Sequence, residues 1–175
     1  MTTASIDIKR LMAADAALYR DIRLEALRSS PESFATAFET ENVRPVAWFA
    51  ERLEGVTLLG AFHTRELVGT LGFVRGEGPK RQHKGMLVGM YVRPATRRAG
   101  VGRRLVDAAL DLATHSVELV QLSVVQGNEP ALRLYQSMGF VEYGLERRAL
   151  KIDGRYYDDI LMAKNLIGHA GPVLR

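Results

Sequence analysis

Hydrophobic and polar residues recur along this 175-residue chain with two different spacings. A spacing of two residues, or a short apolar run, is typical of β-strands, and a spacing of three to four is typical of α-helices. The first pattern predicts strands at Ser5–Arg10, Thr57–His63, Leu67–Val74, Met86–Val92, Leu119–Val125, Phe140–Ile152 and Arg155–Lys164. The second predicts helices at Asp15–Ser29, Pro45–Leu53, Gly100–His115 and Asn128–Met138, with a short helical region after Pro31.

Two of the predicted helices carry a clear apolar stripe, which we expect to face the core. In the first helix the stripe consists of Leu18, Ile22, Leu24 and Leu27. In the helix after Gly100 it consists of Val101, Leu105, Ala108, Ala109 and Leu112, and we expect Leu105 and Leu112 to be core residues.

Turn and cap signals separate these elements. Asp15 and Asn128 are predicted N-caps, Gly139 ends the helix that Asn128 begins, and Asp153-Gly154 favours a tight hairpin. Residues 76–85 are rich in Gly, Lys and Arg and are predicted to form a mobile loop.

The element order β-α-α-β-β-β-α-β-α-β-β predicts an α+β fold around one mixed, mostly antiparallel sheet of about seven strands, flanked by helices. The length is that of one domain. We expect a single domain over residues 1–175, with a core of about 5–165 and a loose tail at 166–175.

The segment from Val92 to Val106 joins a strand to a helix through a basic turn that contains two glycines. Gly100 and Gly102 leave main-chain N–H groups uncovered, and the helix presents the positive end of its dipole to the same place. Arg97, Arg98, Arg103 and Arg104 add positive charge. This combination is typical of a phosphate or pyrophosphate site, although the arginines alone could also form a solvated face.

Two common phosphate-binding motifs do not fit this segment. A Walker loop requires Gly-x-x-x-x-Gly-Lys-Ser/Thr, and neither that spacing nor the lysine is present. The dinucleotide fingerprint requires a third glycine three residues after Gly102, where Leu105 stands.

The spacing Arg-x-x-Gly-x-Gly, formed by Arg97, Gly100 and Gly102, resembles the acyl-CoA binding loop of the GNAT superfamily of N-acyltransferases. The block from Asn128 to Phe140 resembles the second cofactor segment of that family, Asn-x-x-Ala-x-x-Leu-Tyr-x-x-x-Gly-Phe, at every named position. The two blocks follow each other in the family's order. These two blocks are the cofactor-binding motifs, and the resemblance to the family extends over roughly residues 5–165.

The resemblance implies the GNAT fold, in which the two central strands part at one end and the pantetheine arm of CoA lies between them. It implies that the main chain of Met90, Tyr91 and Val92 binds this arm. It places the cofactor phosphates on the loop residues Arg97, Arg98, Ala99, Gly100, Val101, Gly102 and Arg103. It also assigns pantetheine contacts to Asn128 and Ala131, although Asn128 can serve as a helix cap as well.

The resemblance assigns Tyr135 as the general acid that protonates the departing CoA sulfur. A tyrosine with an ordinary pKa near 10 is protonated at neutral pH, as a proton donor must be. Tyr135 lies seven residues after Asn128, close to two helical turns, so both project from one face of the helix. Taken alone, Tyr135 could equally be a packing residue beside Phe140.

The general base is not identified by any motif. The strand positions at which some family members carry Glu or His correspond to Met86 and Val88, which cannot accept a proton. Glu39, Glu41, His83 and Asp158 are alternatives, as are bound water molecules or an amine that arrives neutral. Phe34, Glu39 and Asp158 are candidate contacts of the acceptor substrate.

Composition narrows the function further. The absence of cysteine excludes disulfides, thiolate metal ligands and a cysteine nucleophile. The net charge of +4 could indicate nucleic-acid binding, but the only dense basic cluster is the anion-binding turn, and no nucleic-acid motif accompanies it. The sequence has no span of about 20 apolar residues and no signal-peptide pattern. We therefore expect a cytoplasmic protein with no metal, no membrane association and no nucleic-acid partner.

The leading hypothesis is an N-acetyltransferase that moves an acetyl group from acetyl-CoA directly to a primary amine of a small molecule or a peptide. The alternative is a non-catalytic acyl-CoA sensor, which the missing strand base favours. Related folds often dimerise, so by analogy a homodimer is expected.

Overall fold

The computed structural model describes residues 5–167. Its helices are α1 (Ala16–Ser29), α2 (Phe38–Asn42), α3 (Val46–Gly55), α4 (Val101–Thr114) and α5 (Glu129–Ser137). Its strands are β1 (Ile6–Arg10), β2 (Thr57–His63), β3 (Glu66–Arg75), β4 (Lys84–Val92), β5 (Leu119–Val125), β6 (Val141–Ile152) and β7 (Arg155–Asn165). The predicted element order is confirmed, with the short helix α2 added before α3.

The seven strands have the order β1-β2-β3-β4-β5-β7-β6. The chain divides into two compact units. Unit 1 contains residues up to Val74 together with Val88–Ala109, and unit 2 contains Arg75–Leu87 together with the residues from Leu110 onward.

In unit 1, β2 pairs antiparallel with both β1 and β3. Helices α1 and α3 pack together, and the rings of Tyr19 and Phe49 meet edge to face with centroids 5.8 Å apart. Ile22, Leu24 and Leu27 are buried as predicted, but Leu18 is 44% exposed. The prediction that Leu18 faces the core is wrong. The buried stripe of α1 centres on Tyr19, Arg23 and Ala26, and Leu18 lies outside it.

In unit 2, β7 pairs antiparallel with β5 and β6. The hairpin turn is confirmed, since Asp153 and Gly154 have φ values of 48° and 81°, which fit a type I′ turn. The parallel register of β4 with β5 runs from Lys84–Leu119 to Met86–Gln121. That register ends well before the C-terminal end of β5, whereas β5 stays paired with β7 as far as Val125.

Helix α4 buries a different stripe from the one predicted. Val101, Leu105 and Ala109 are buried, but Leu112 is 45% exposed. The buried face continues instead through Val106, Leu110 and Ala113, which lie about 80–140° around the helix from Leu105. Leu112 therefore lies at the edge of this face rather than in the core.

The segment after β3 is shorter than predicted, because Lys84 and Gly85 already belong to β4. Its ends are joined by a hydrogen bond of 2.8 Å from the Gly76 amide to the Lys84 carbonyl. The expected tail at 166–175 lies mostly outside the described residues.

Candidate active site

The connection from β4 to α4 is an exposed loop held at its base by main-chain hydrogen bonds. The Arg93 amide donates to the Val68 carbonyl at 2.9 Å, and a 3-10 turn follows at Pro94–Thr96. Residues 97–100 are all exposed. Arg98 and Gly100 have positive φ values of 65° and 77°, so the chain turns sharply before the helix begins.

The first turn of α4 presents main-chain donors. The amide of Arg104 donates to the Gly100 carbonyl at 3.1 Å, so the amides of residues 101–103 have no acceptor within the helix. A Cβ added to Gly100 would meet no atom within 4 Å, so open space surrounds this position. Main-chain donors at the positive end of a helix dipole suit an anion such as a diphosphate.

A close approach to β3 holds α4 in place. A Cβ added to Gly69 would lie 3.1 Å from both the Leu105 Cδ1 atom and the Tyr91 carbonyl oxygen, and 3.3 Å from the Val101 Cγ1 atom. Only glycine leaves this space free. The start of α4 is thus packed directly against β3.

The end of β4 connects to α1 through side chains. The Tyr91 hydroxyl donates to the Glu25 Oε1 atom at 3.0 Å and lies 3.2 Å from the Ser29 hydroxyl. Burial raises the pKa of the Tyr91 hydroxyl. The Arg93 guanidinium donates to the other carboxylate oxygen of Glu25, also at 3.0 Å.

Of the predicted cofactor residues on β4, Tyr91 is buried, while Met90 and Val92 are half-buried. The Val92 carbonyl accepts a hydrogen bond of 2.9 Å from the Arg97 Nε atom. The Arg97 guanidinium also lies 5.9 Å from the centroid of the Tyr91 ring. Arg97 is therefore held against the end of β4, the strand that precedes its loop.

Unit 2 carries the second predicted segment, on helix α5. The Asn128 Oδ1 atom accepts a hydrogen bond of 3.3 Å from the Ala131 amide, which confirms the predicted N-cap. Cap formation uses the side-chain oxygen of Asn128 and leaves its NH₂ group as a donor. Gly139 has a φ of 86° and ends the helix, while Lys164 Nζ donates to the Met138 carbonyl at 2.5 Å.

Tyr135 is buried, with 5% of its surface exposed, and its ring meets Phe140 edge to face at 5.6 Å. Its hydroxyl makes no hydrogen bond to any residue in the described part of the chain, and it is not among the fully buried polar atoms. Buried tyrosines usually pair their hydroxyl group. Burial raises the pKa of this hydroxyl well above its ordinary value of 10.0, so it is protonated at neutral pH.

The sequence matches a known family over most of its length. Residues 19–140 match the acetyltransferase (GNAT) family. The N-alpha-acetyltransferase RimI of Mycobacterium tuberculosis is 30% identical to the chain over 152 residues, which cover 87% of this chain and 89% of RimI. The chain belongs to the acetyltransferase (GNAT) family.

Solved structures show the same fold. A GNAT-family acetyltransferase from Streptococcus pneumoniae has a TM-score of 0.82 at 21% identity, and the match covers 92% of this chain and 99% of that protein. YncA from Salmonella typhimurium, solved with its cofactor acetyl-CoA, has a TM-score of 0.77 at 22% identity over 97% and 98% of the two chains. The predicted GNAT fold is confirmed.

This GNAT protein is an acetyl-CoA-dependent acyltransferase, with acetyl-CoA as its co-substrate. The residues present suit the phosphates of that molecule, because the first turn of α4 has amides without an acceptor within the helix, beside exposed arginines. Within residues 5–167, no group of three or more His, Asp or Glu side chains could hold a metal ion. None of the helices in that range has the length and apolar character that a membrane crossing requires.

The candidate bases of this GNAT protein differ in their surroundings. Glu41 is 1% exposed and forms two hydrogen bonds of 2.9 Å with the Arg23 guanidinium, so its carboxylate is engaged in the interior. Asp158 accepts a hydrogen bond of 2.7 Å from the Arg148 amide. Glu39 and His83 are exposed.

The candidate acceptor contacts also have different settings. Phe34 is 8% exposed, belongs to the core of unit 1 and lies 5.2 Å from the Arg23 guanidinium. Glu39 is on α2 and Asp158 is on β7. Met86 is 47% exposed on β4, and Val88 is half-buried.

Sequence analysis missed Glu25, which joins α1 to both Tyr91 and Arg93. These partners lie 66 and 68 residues away along the chain. No local spacing could have indicated such a contact. The outward face of α1 that carries Glu25 also lines a surface cleft.

Proposed function

We propose that this protein transfers an acetyl group from acetyl-CoA directly to a primary amine, with Tyr135 as the proton donor to the departing sulfur. The observation that carries the assignment is the Tyr135 hydroxyl, which belongs to a buried ring, is not itself a buried unsatisfied atom, and makes no hydrogen bond within residues 5–167. A hydroxyl group that the protein leaves accessible can donate its proton to a reacting group. Its raised pKa keeps the proton available.

The proposed reaction forms a C–N bond and breaks the C–S bond of the acetyl thioester. The amine nitrogen attacks the carbonyl carbon, the sulfur leaves with the bonding electrons, and Tyr135 gives it a proton. The buried setting that raises the pKa of a tyrosine also raises that of a thiol, so the two remain close enough for transfer. The proton lost by the amine restores Tyr135 through solvent.

The cofactor roles follow from the chemistry of each segment. Main-chain amides at the start of α4, which lack an acceptor within the helix, and the exposed arginines Arg97, Arg98 and Arg103 would bind the diphosphate. The main chain of residues 90–92, together with Asn128 and Ala131, would bind the amide-rich pantetheine arm. In this assignment Ala99, Gly100 and Gly102 serve by leaving the main chain accessible.

The first test is cofactor binding followed by turnover. CoA at about 100 times its Kd should stabilise the fold by about 2.7 kcal/mol, a shift in melting temperature of about 5–11 °C. Thiol release from acetyl-CoA, measured with a panel of amines, should then identify acceptors. If millimolar CoA produced no shift, the cofactor assignment would fail.

The second test separates binding from proton donation. Tyr135→Phe removes only the hydroxyl, so CoA should still shift the melting temperature, while kcat should fall about 100-fold or more, the range of general acid catalysis. Wild-type turnover in this variant would remove Tyr135 from the mechanism.

The sensor alternative rests on Met86 and Val88, which leave β4 without a basic side chain at the family's positions. It predicts CoA binding without thiol release for every amine in the panel. Release with one amine excludes it.

A further inference from the structure

Unit 1 contains a cleft of about 520 Å³ along the outward face of α1. Polar and charged residues that line the cleft include Asp21, Glu25, Arg28 and Ser29 on α1 and Asn42 at the end of α2. The lining therefore contains both signs of charge. Such a cleft can select a ligand by the charges it carries and their separation.

Some charged groups of the cleft are already engaged by the protein. Arg20 donates to the carbonyls of Asn42 at 2.9 Å and Arg44 at 3.3 Å, which ties α1 to the chain after α2. Glu25 accepts hydrogen bonds from Tyr91 and Arg93. These contacts fix the walls of the cleft.

Two opposite charges remain without a polar partner in residues 5–167. The Asp21 carboxylate has no hydrogen bond or ion pair there. The Arg28 guanidinium carbon lies over the Phe38 ring, 4.6 Å from its centroid, and its N–H groups have no acceptor within residues 5–167. A cation–π contact of this kind uses none of the N–H groups, so they can bind a carboxylate.

The spacing along the helix separates these charges. Asp21 and Arg28 are seven residues apart, so they lie on the same face with an axial rise of about 10.5 Å. Glu25 lies between them, four residues after Asp21, and two carboxylates at this spacing repel each other. A cationic group placed beside Asp21 and Glu25 would relieve that repulsion.

The cleft also reaches the strand that is proposed to hold the cofactor. Glu25 and Ser29, which line it, are the two residues that contact the Tyr91 hydroxyl, at 3.0 and 3.2 Å. A ligand in the cleft would therefore lie beside β4 rather than on a remote surface of unit 1.

We infer that this cleft binds the acceptor and that the acceptor is an amine that also carries a carboxylate. Arg28 binds the carboxylate through its N–H groups, and Asp21 and Glu25 attract the amine end. The inference rests on the proposed function for its second substrate, and it adds the chemical class of that substrate. Arg28 is then a specificity-determining residue.

The test compares amino acids with their own carboxamides. Glycine, 4-aminobutyrate and 6-aminohexanoate, each paired with its amide, are offered with acetyl-CoA while thiol release is recorded. We expect at least one acid to exceed its amide at least about tenfold in kcat/KM, through a higher KM of the amide, as loss of a charge-assisted hydrogen bond predicts. Arg28→Gln should abolish that preference, and Arg10→Gln, at an exposed arginine of β1, should retain it.

A binding measurement makes the outcome independent of catalysis. Calorimetric titration of the same acids into wild type and Arg28→Gln, without acetyl-CoA, should show binding to wild type only. Binding with no turnover of any amine would support the cleft and contradict the proposed function. Turnover of amines with no preference for the carboxylate, or equal binding by Arg28→Gln, would overturn the cleft assignment and leave the function standing.

Discussion

The β4–α4 loop and the α1 cleft belong to the same unit but are built in different ways. The loop offers main-chain amides of consecutive residues, which have no acceptor within the helix at the start of α4. The cleft offers side chains whose positions depend on partners far away in sequence, such as the Asn42 carbonyl for Arg20 and Tyr91 for Glu25. A change in the loop should therefore alter binding locally, whereas a change behind the cleft should alter the fold.

This difference predicts opposite responses to mutation. Backbone conformation determines what the loop binds, so the important substitutions there are those that add a side chain. The cleft depends on ion pairs, so the important substitutions there remove a charge. The predictions that follow test this contrast, beginning with the largest effect.

Glu41→Gln should cost about 3–5 kcal/mol of unfolding free energy, because it leaves the buried Arg23 without its charged partner. Arg23 and Glu41 are 8% and 1% exposed, and their two hydrogen bonds of 2.9 Å join α1 to α2. The melting temperature should fall by at least about 6 °C. Thermal unfolding measured by circular dichroism checks this.

Glu129→Gln is the matched control, since Glu129 lies 3.9 Å from Arg133 and both are more than 60% exposed. An exposed pair of this kind contributes about 0–1 kcal/mol. Equal melting temperatures for the two variants would show that the buried pair does not hold α1 to α2.

Gly100→Val should weaken CoA binding about 100-fold, because the new side chain covers amides that form charge-assisted hydrogen bonds with the diphosphate. Gly78→Val is a close control, since Gly78 has a φ of 76° against 77° for Gly100, and both positions have open space around them. Both variants should lose at least about 1–2 kcal/mol of stability from the left-handed conformation. Only Gly100→Val should lose CoA affinity in a calorimetric titration.

If Gly78→Val lost as much CoA affinity as Gly100→Val, strain alone would explain the effect. The loop would then have no special role in phosphate binding. If neither variant lost affinity, the amides of α4 would not be the phosphate site.

Most of the fold could be predicted from sequence, because its signals are local. The predicted bounds of β2 and β5 match the observed seven-residue strands, which are rich in apolar residues. The cap at Asn128 and the turn at Asp153-Gly154 follow from single residue types. The proposed phosphate loop is equally local, since its glycines and the amides at the start of α4 are adjacent in sequence.

The remaining features depend on packing between distant segments. Leu112 fits the helical period but is exposed, because the packing of α4 rotates its buried face toward Val106 and Ala113. The sequence around Glu41 is that of an ordinary exposed helix, and only the structure shows that Glu41 forms a buried ion pair with Arg23. Arg97 and Val92 are close in sequence, yet no spacing rule predicts a hydrogen bond from a loop side chain to the last carbonyl of the preceding strand.

A local sequence motif predicts the role of Tyr135, but its burial depends on the packing of distant segments. Because burial raises its pKa in the folded state above the unfolded value of 10.0, its contribution to stability is complete below pH 10 and is lost as the pH rises further. Tyr135→Phe lacks this titration. Above pH 10 its unfolding free energy should therefore fall less steeply than that of wild type, by about 1.4 kcal/mol per pH unit.

Urea unfolding at pH 9, 10 and 11 measures this difference, and comparison of the two proteins cancels the contributions of Tyr19 and Tyr91, whose pKa values burial also raises. Parallel pH profiles would mean that the Tyr135 hydroxyl ionises freely in the folded protein.

Glu25→Gln tests the point at which the two regions meet, and we expect the smallest effect there. The amide can still accept a hydrogen bond from Tyr91, but it loses the charge that pairs with Arg93, and Glu25 is partly exposed. We expect KM to rise about two- to fivefold for acetyl-CoA and for the acceptor, in line with the loss of a partly exposed ion pair.

Glu66→Gln is the control, because Glu66 also pairs with Arg93 but does not contact Tyr91. Its acceptor KM should remain at the wild-type value. A rise in both variants would mean that Arg93 alone transmits the effect, and a rise in neither would mean that the cleft and β4 bind their substrates independently.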